Sequence, residues 1–174
     1  MPETATRDSG IVLGSPLTDS TLRMSKNLRL GAGSYLLLMS LGVIAWSLLT
    51  GFACIGFAAK GKLGLAELNR IVSLLGTALG IAFYAASTRR LRDLNFPGWT
   101  VKVLAFPLLG VIVLPVLCFL SGHRWDNQFG PAPAPSGFVK IAAALILFAI
   151  AVVTARWALG VYVQTRYLLA AAGL

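Results

Sequence analysis

Catalysis and metal binding draw on a short menu of side chains, and this 174-residue chain is poor in them: one histidine and six carboxylates, with two cysteines. His123 has only Asp126 as a nearby acid, so any Ser-His-Asp or Cys-His site would have to be built on that one imidazole. Ligation of a metal there would need further partners. Cys54 and Cys118 form no Cys-x-x-Cys pair and read as small buried hydrophobes. A disulfide between them stays open if both meet an oxidising face. Hydroxyls at Ser40, Ser47, Thr50, Ser73, Thr77 and Thr154 are scattered through apolar sequence, where such groups usually bond to a carbonyl one turn earlier. The expectation is no enzyme, no cofactor and no metal.

The elements that would position any site are membrane helices. Apolar residues make up 57 % of the chain and charged ones 12 %, about half the ~25 % of a soluble domain. The mean hydropathy is +0.79. Fifteen Lys and Arg against six Asp and Glu give a net charge of +9. These bases cluster just outside long uncharged runs, the signature of membrane topology. No aromatic-basic interleaving accompanies them, so nucleic acid is not an expected partner.

A spanning helix needs about 20 apolar residues. Stretches 30–59, 71–88, 103–122 and 138–157 approach that length. The expected fold is therefore all-α: a polytopic membrane protein with four transmembrane helices in a small bundle. Pro107 and Pro115 should kink the third. Residues 1–29 form a polar tail that cannot build a core, 30–163 the membrane domain, and 164–174 a short C-terminal segment. A cleavable signal peptide fits poorly with the long tail and the 30-residue apolar run. Counting Lys and Arg beside four spans favours both termini in the cytoplasm. The loop 89–102 is then cytoplasmic and the loop 123–140 faces the opposite side.

Two loops and two kinds of packing signal stand out. Arg89, Arg90 and Arg92 can meet anionic lipid headgroups, and Asp93 is spaced to pair with Arg89 or Arg90 along a helical end. Phe96-Pro97-Gly98 is turn chemistry and Trp99 an interface anchor. The second loop is stiffened by Pro131, Pro133 and Pro135. Gly76-x-x-x-Gly80 allows close helix approach, with Ser47-x-x-x-Gly51 and Ala151-x-x-x-Ala155 as weaker versions. Ordinary packing inside the bundle is the first use expected of these faces. Self-association or docking of a membrane partner is the second.

Together the loops resemble the bacterial inner-membrane family called domain of unknown function 805. That family shows Arg-Arg-Leu-His-Asp, then Ser-Gly-Trp, a hydrophobic span, and Asn-x-Phe/Tyr-Gly-x-x-Pro. The matching residues are Arg89, Arg90, Leu91 and Asp93, then Gly98 and Trp99, then Asn127, Phe129, Gly130 and Pro133. Arg92 stands where the family has histidine, and Ala132 replaces its usual acid between the prolines. The family's Gly-Arg-rich segment and aromatic before the first span are reduced to Leu28-Arg29-Leu30-Gly31 and Tyr35. The resemblance implies a multi-span inner-membrane protein with no established activity.

The function expected is a non-catalytic accessory or scaffold subunit of a membrane complex in the bacterial inner membrane. The alternative is a small homo-oligomeric transporter or channel for a small molecule or lipid. Intramembrane ionisable residues usually mark transport pathways, and the four apolar stretches contain almost none.

Overall fold

Long uncharged runs become long helices because, in lipid, every backbone N–H and C=O must be satisfied within its own segment. A computed structural model describes residues 29–60 and 64–173. Helix α1 covers Ala32–Lys60 and α2 Leu65–Asp93, both of 29 residues. A 3-10 helix follows at Gly98–Ala105, then α3 at Pro107–Phe119 and α4 at Phe138–Ala171. Among the described residues, three helices are long and apolar enough to cross a membrane: α1, α2 and α4. The expected tail 1–29 lies outside the described residues except for Arg29, and α4 runs on past residue 163 to Ala171.

The expected third span, 103–122, is not a spanning helix. It breaks at Phe106, which takes an extended ψ of 115° ahead of Pro107, as steric conflict with a following proline ring demands. Pro107 then opens α3 at its first turn, and Pro115 lies within it. Thirteen residues rise about 20 Å at 1.5 Å each, short of the ~30 Å hydrocarbon core. The 3-10 helix folds back along α3: a Cβ on Gly110 would sit 3.1 Å from the Leu104 carbonyl oxygen. Val101 and Leu117 enter the same buried cluster with Tyr35, Leu91 and Ala144. Residues 98–119 are thus a re-entrant hairpin that leaves and returns to one end of the bundle.

That hairpin changes the topology. The start of α1, the end of α2, the hairpin and the start of α4 all meet at one end. There Leu30 N donates to the Arg89 carbonyl at 3.3 Å, and Lys140 Nζ donates to Ser34 Oγ at 2.6 Å. The far end gathers Cys54 and Phe57 of α1, Leu68 of α2 and Leu169 of α4. Loops 89–102 and 123–140 therefore lie on the same side, correcting the expectation of opposite sides. The Arg29 end of α1 and the Ala171 end of α4 lie at opposite ends. Cys54 and Cys118 are free and sit in different clusters, which removes the disulfide.

Helices in lipid gain little hydrophobic drive from touching one another, so close backbone packing has to hold them. α1 and α4 run parallel with small buried residues every seven positions: Ser40, Ser47 and Cys54 facing Ala144, Ala151, Ala158 and Thr165. A strict seven-residue repeat keeps one seam in register as the helices supercoil. Gly51 packs beneath the Trp157 ring, where a Cβ would collide. On the α2 side, a Cβ on Gly42 would lie 2.8 Å from the Phe83 ring. Of the expected pair, Gly80 meets nothing in the bundle within 4 Å of a Cβ, while the half-buried Gly76 approaches Trp46 of α1 at 4.0 Å. α2 turns the Gly80 side outward.

Cysteine-accessibility labelling tests the three-span topology. Asn95→Cys and Gln128→Cys should label from the same side, and Gly173→Cys from the other. Labelling of 95 and 128 from opposite sides would restore a spanning α3. Gly51→Leu should destabilise the fold by about 1–3 kcal/mol through overpacking against Trp157, read as a lower unfolding temperature in detergent.

Candidate functional site

The end of α2 is shaped to aim its side chains at the returning hairpin. Asn95 takes a positive φ of 64°. Asn95 N donates to the Arg92 carbonyl at 3.1 Å and Phe96 N to the Leu91 carbonyl at 2.9 Å. This is the double bond pattern of a left-handed helix cap, with Asn where glycine is commoner. The chain turns sharply there, and the last turn of α2 is left facing residues 117–130.

At the centre of that junction is Asp93, 2 % exposed, between two arginines. Arg29, 5 % exposed, donates from Nε at 3.2 Å and from Nη2 at 3.1 Å to Asp93 Oδ1. Arg90, fully buried, donates to Asp93 Oδ2. The remaining donors go to backbone. Arg29 reaches the carbonyls of Trp125 at 3.1 Å, Gly130 at 2.8 Å and His123 at 2.7 Å. Arg90 reaches those of Leu117 at 3.0 Å, Leu30 at 3.3 Å and Leu120. Asp93 also accepts from His123 N through its backbone carbonyl, at 3.0 Å.

Two cations and one anion leave an excess positive charge in a buried place. Helix ends offset it. The carbonyls of Leu117 and Leu120 end α3 and have no amide partner one turn on, so they present the negative end of its dipole to Arg90. The last turn of α2 likewise favours a cation, and Arg90 lies in it. Arg90 is therefore at once an ion-pair partner and the C-terminal cap of α3.

The second loop closes over this clamp. Asn127 Nδ2 donates to the Arg92 carbonyl at 2.9 Å, while its Oδ1 accepts from Phe129 N at 2.9 Å. Asn127 and Gly130 form an antiparallel bridge, and Gly130 holds a φ of 118° that favours glycine. The Arg92 guanidinium lies 5.8 Å from the centre of the Phe129 ring, a cation-π contact. Pro133 packs against Gly31, 3.5 Å from where its Cβ would be.

The motif residues singled out in the sequence converge here. Arg90, Leu91, Asp93, Asn127, Phe129, Gly130 and Pro133 build the junction, and Gly98 lies beside the Arg92 guanidinium. Arg89 and Trp99 point outward, Trp99 being 65 % exposed. The ion pair is made by Arg90 and Arg29, not Arg89. Arg29 and Gly122 were not legible as site residues. Arg29 stands at the end of a polar tail, and nothing local marks its partner 64 residues away. Gly122 must be glycine because a Cβ there would collide with the Asp93 carboxylate. Among the described residues no three His, Cys, Asp or Glu side chains gather as a metal site. The polar groups of Arg29, Arg90, Asp93 and Asn127 are engaged with one another and with backbone, while the buried Arg92 Nε has no hydrogen-bond partner.

Removing Asp93 leaves two arginines buried without their anion, a change that typically costs 3–5 kcal/mol. Asp93→Ala should abolish folded protein in detergent, judged by size exclusion. Gly122→Ala should lower the unfolding temperature by displacing the same carboxylate. Exposed Arg89→Ala should remain within about 0.5 kcal/mol of the parent, and a large effect there would move the weight of the site outward.

The description "Protein of unknown function (DUF805)" matches residues 27–131. That range runs from just before Arg29 to just beyond Gly130, enclosing the clamp and the hairpin. No curated protein and no solved structure matches the chain. With its match covering more than half of the chain, the protein belongs to the DUF805 family.

Proposed function

We propose that the protein is a non-catalytic accessory or scaffold subunit of a membrane complex in the bacterial inner membrane. The observation that carries this reading is the outward face of α2. Ser73 and Gly80 are exposed on a spanning helix, with the half-buried Gly76 between them and nothing within 4 Å of a Cβ on Gly80. Close helix contacts inside the molecule use Gly42 and Gly51 instead. A small-residue face left free on a spanning helix suits the backbone of a second helix. The junction supports the same reading, because its residues lock chain segments together.

The end carrying the clamp is assigned to the cytoplasmic side. Among the described residues, Arg29, Arg89, Arg90, Arg92, Lys102, Arg124 and Lys140 lie toward that end, against Lys60, Arg70, Arg156 and Arg166 toward the other. Lys and Arg excess marks the cytoplasmic side. Exposed Arg89 and Lys102, beside exposed Trp99, are placed to meet anionic headgroups, each basic residue contributing about 1 kcal/mol. On this assignment the end of α4 lies on the far side of the membrane.

Affinity purification of the tagged protein in mild detergent, with mass spectrometry of what accompanies it, tests the role. Stoichiometric foreign membrane subunits are expected. Gly76→Leu with Gly80→Leu should leave the unfolding temperature unchanged and weaken that association by about 1–2 kcal/mol. Recovery as a uniform homo-oligomer would overturn the accessory role and turn attention to reconstituted flux.

A further inference from the structure

The re-entrant helix α3 and the spanning helix α4 both lean on α1 but stand apart from each other. The gap is a cleft of about 270 Å³, walled by Met39 and Val43 of α1, Phe83 of α2, Leu114 and Pro115 of α3, and Phe148 of α4. Its two polar side chains are already engaged. Ser40 Oγ donates to the Leu36 carbonyl at 2.8 Å and Cys118 Sγ to the Leu114 carbonyl at 3.4 Å. The walls offer no free polar side chain to hold water or a polar ligand.

The depth of the cleft narrows the choice of occupant. Leu36 and Val43 lie about 6 and 17 Å along α1 from its start, at 1.5 Å per residue. Half of a ~30 Å hydrocarbon core is ~15 Å, so the α1 wall lies mainly in the leaflet on the clamp side, while the α4 wall, from Phe148 to Ala155, lies about 15 to 26 Å along its helix and carries the cleft past the midplane. At the headgroup level of that leaflet, Arg89, Lys102, Arg124 and Lys140 are exposed. Among the described residues there, Asp126 is the exposed acid, and its Oδ1 already accepts from Ala132 N at 3.2 Å. Hydrocarbon walls in a leaflet whose exposed headgroup-level side chains carry an excess of cations complement one class of molecule.

We propose that the cleft between α3 and α4 holds an acyl chain of an anionic phospholipid drawn from the clamp-side leaflet, with its phosphate met by the exposed cations above. The hairpin then acts as a side wall for a bound lipid, which rests on the bilayer embedding and not on any accessory role. Lipid capture would also explain why α3 is present as a half-depth helix, since a full span would fill this space.

Photo-crosslinking tests the proposal. The protein is reconstituted in vesicles of phosphatidylethanolamine and phosphatidylglycerol containing a trace of phosphatidylglycerol with a diazirine in its acyl chain. Adducts should concentrate on Met39, Leu114 and Phe148, and excess unlabelled phosphatidylglycerol should suppress them. Ala155→Phe, which places a ring in the cleft, should reduce these adducts about tenfold, equivalent to 1.4 kcal/mol of binding. Should that variant fail to fold, competition on the parent protein still decides. Adducts spread evenly over outward-facing Leu74, Ile81 and Val153 would overturn the proposal. Equal cleft labelling by a phosphatidylcholine probe would overturn its anionic selectivity, as would no loss of preference in Lys102→Glu with Arg124→Glu.

Discussion

A single carboxylate, that of Asp93, holds together segments of chain that would otherwise have no reason to meet. Arg29 enters from before α1, Arg90 from the last turn of α2, and apart from that of Leu30 the backbone carbonyls they bond, each its own set, come from residues 117–130. Burying three charges is expensive, and their mutual attraction offsets the desolvation only when the remaining donors are also satisfied. Here the remaining donors find backbone carbonyls. The arrangement is therefore cooperative: loss of one partner strands the others.

The hairpin depends on that clamp more than on its own hydrophobicity. A 13-residue helix cannot reach across a bilayer, and its end in lipid would expose unsatisfied carbonyls. Arg90 supplies the missing donors at Leu117 and Leu120, which is what permits the chain to turn back at Gly122. The absence of a Cβ at Gly122 then lets the chain pass directly over the Asp93 carboxylate. Turn chemistry at Asn95, the helix cap at Arg90 and the close pass at Gly122 are three parts of one solution.

Below the clamp the bundle is held by geometry. Small residues at seven-residue intervals bring α1 and α4 together, and Gly42 admits Phe83. Hydrogen bonds within the membrane reinforce both ends: Tyr35 with Ser87 at 2.9 Å, and Tyr162 with Asn69 at 2.9 Å. α1 is thus the central helix, and α2 and α4 present much of their surface outward, as lipid-facing helices do. A half-depth hairpin on one side of α1 leaves the cleft that a fourth full helix would have closed.

Composition and the positions of charge were enough to establish an all-helical membrane protein and to mark the two loops as the informative segments, because lipid imposes length and neutrality on any helix that crosses it. The pairing of Asp93 with a base one turn earlier was also legible, since i, i+3 neighbours share a helix face. The number of spans was not. Hydropathy registers how apolar residues 103–122 are, but not whether the chain continues or reverses, and the reversal is set by carbonyls and arginines distant in sequence. For the same reason Arg29 read as part of a polar tail, Gly80 read as a bundle contact, and Gly42, which makes one, was not singled out, whereas Gly51 was. A glycine spacing shows that a close approach is possible, but only the tertiary structure decides which neighbour is there to make it.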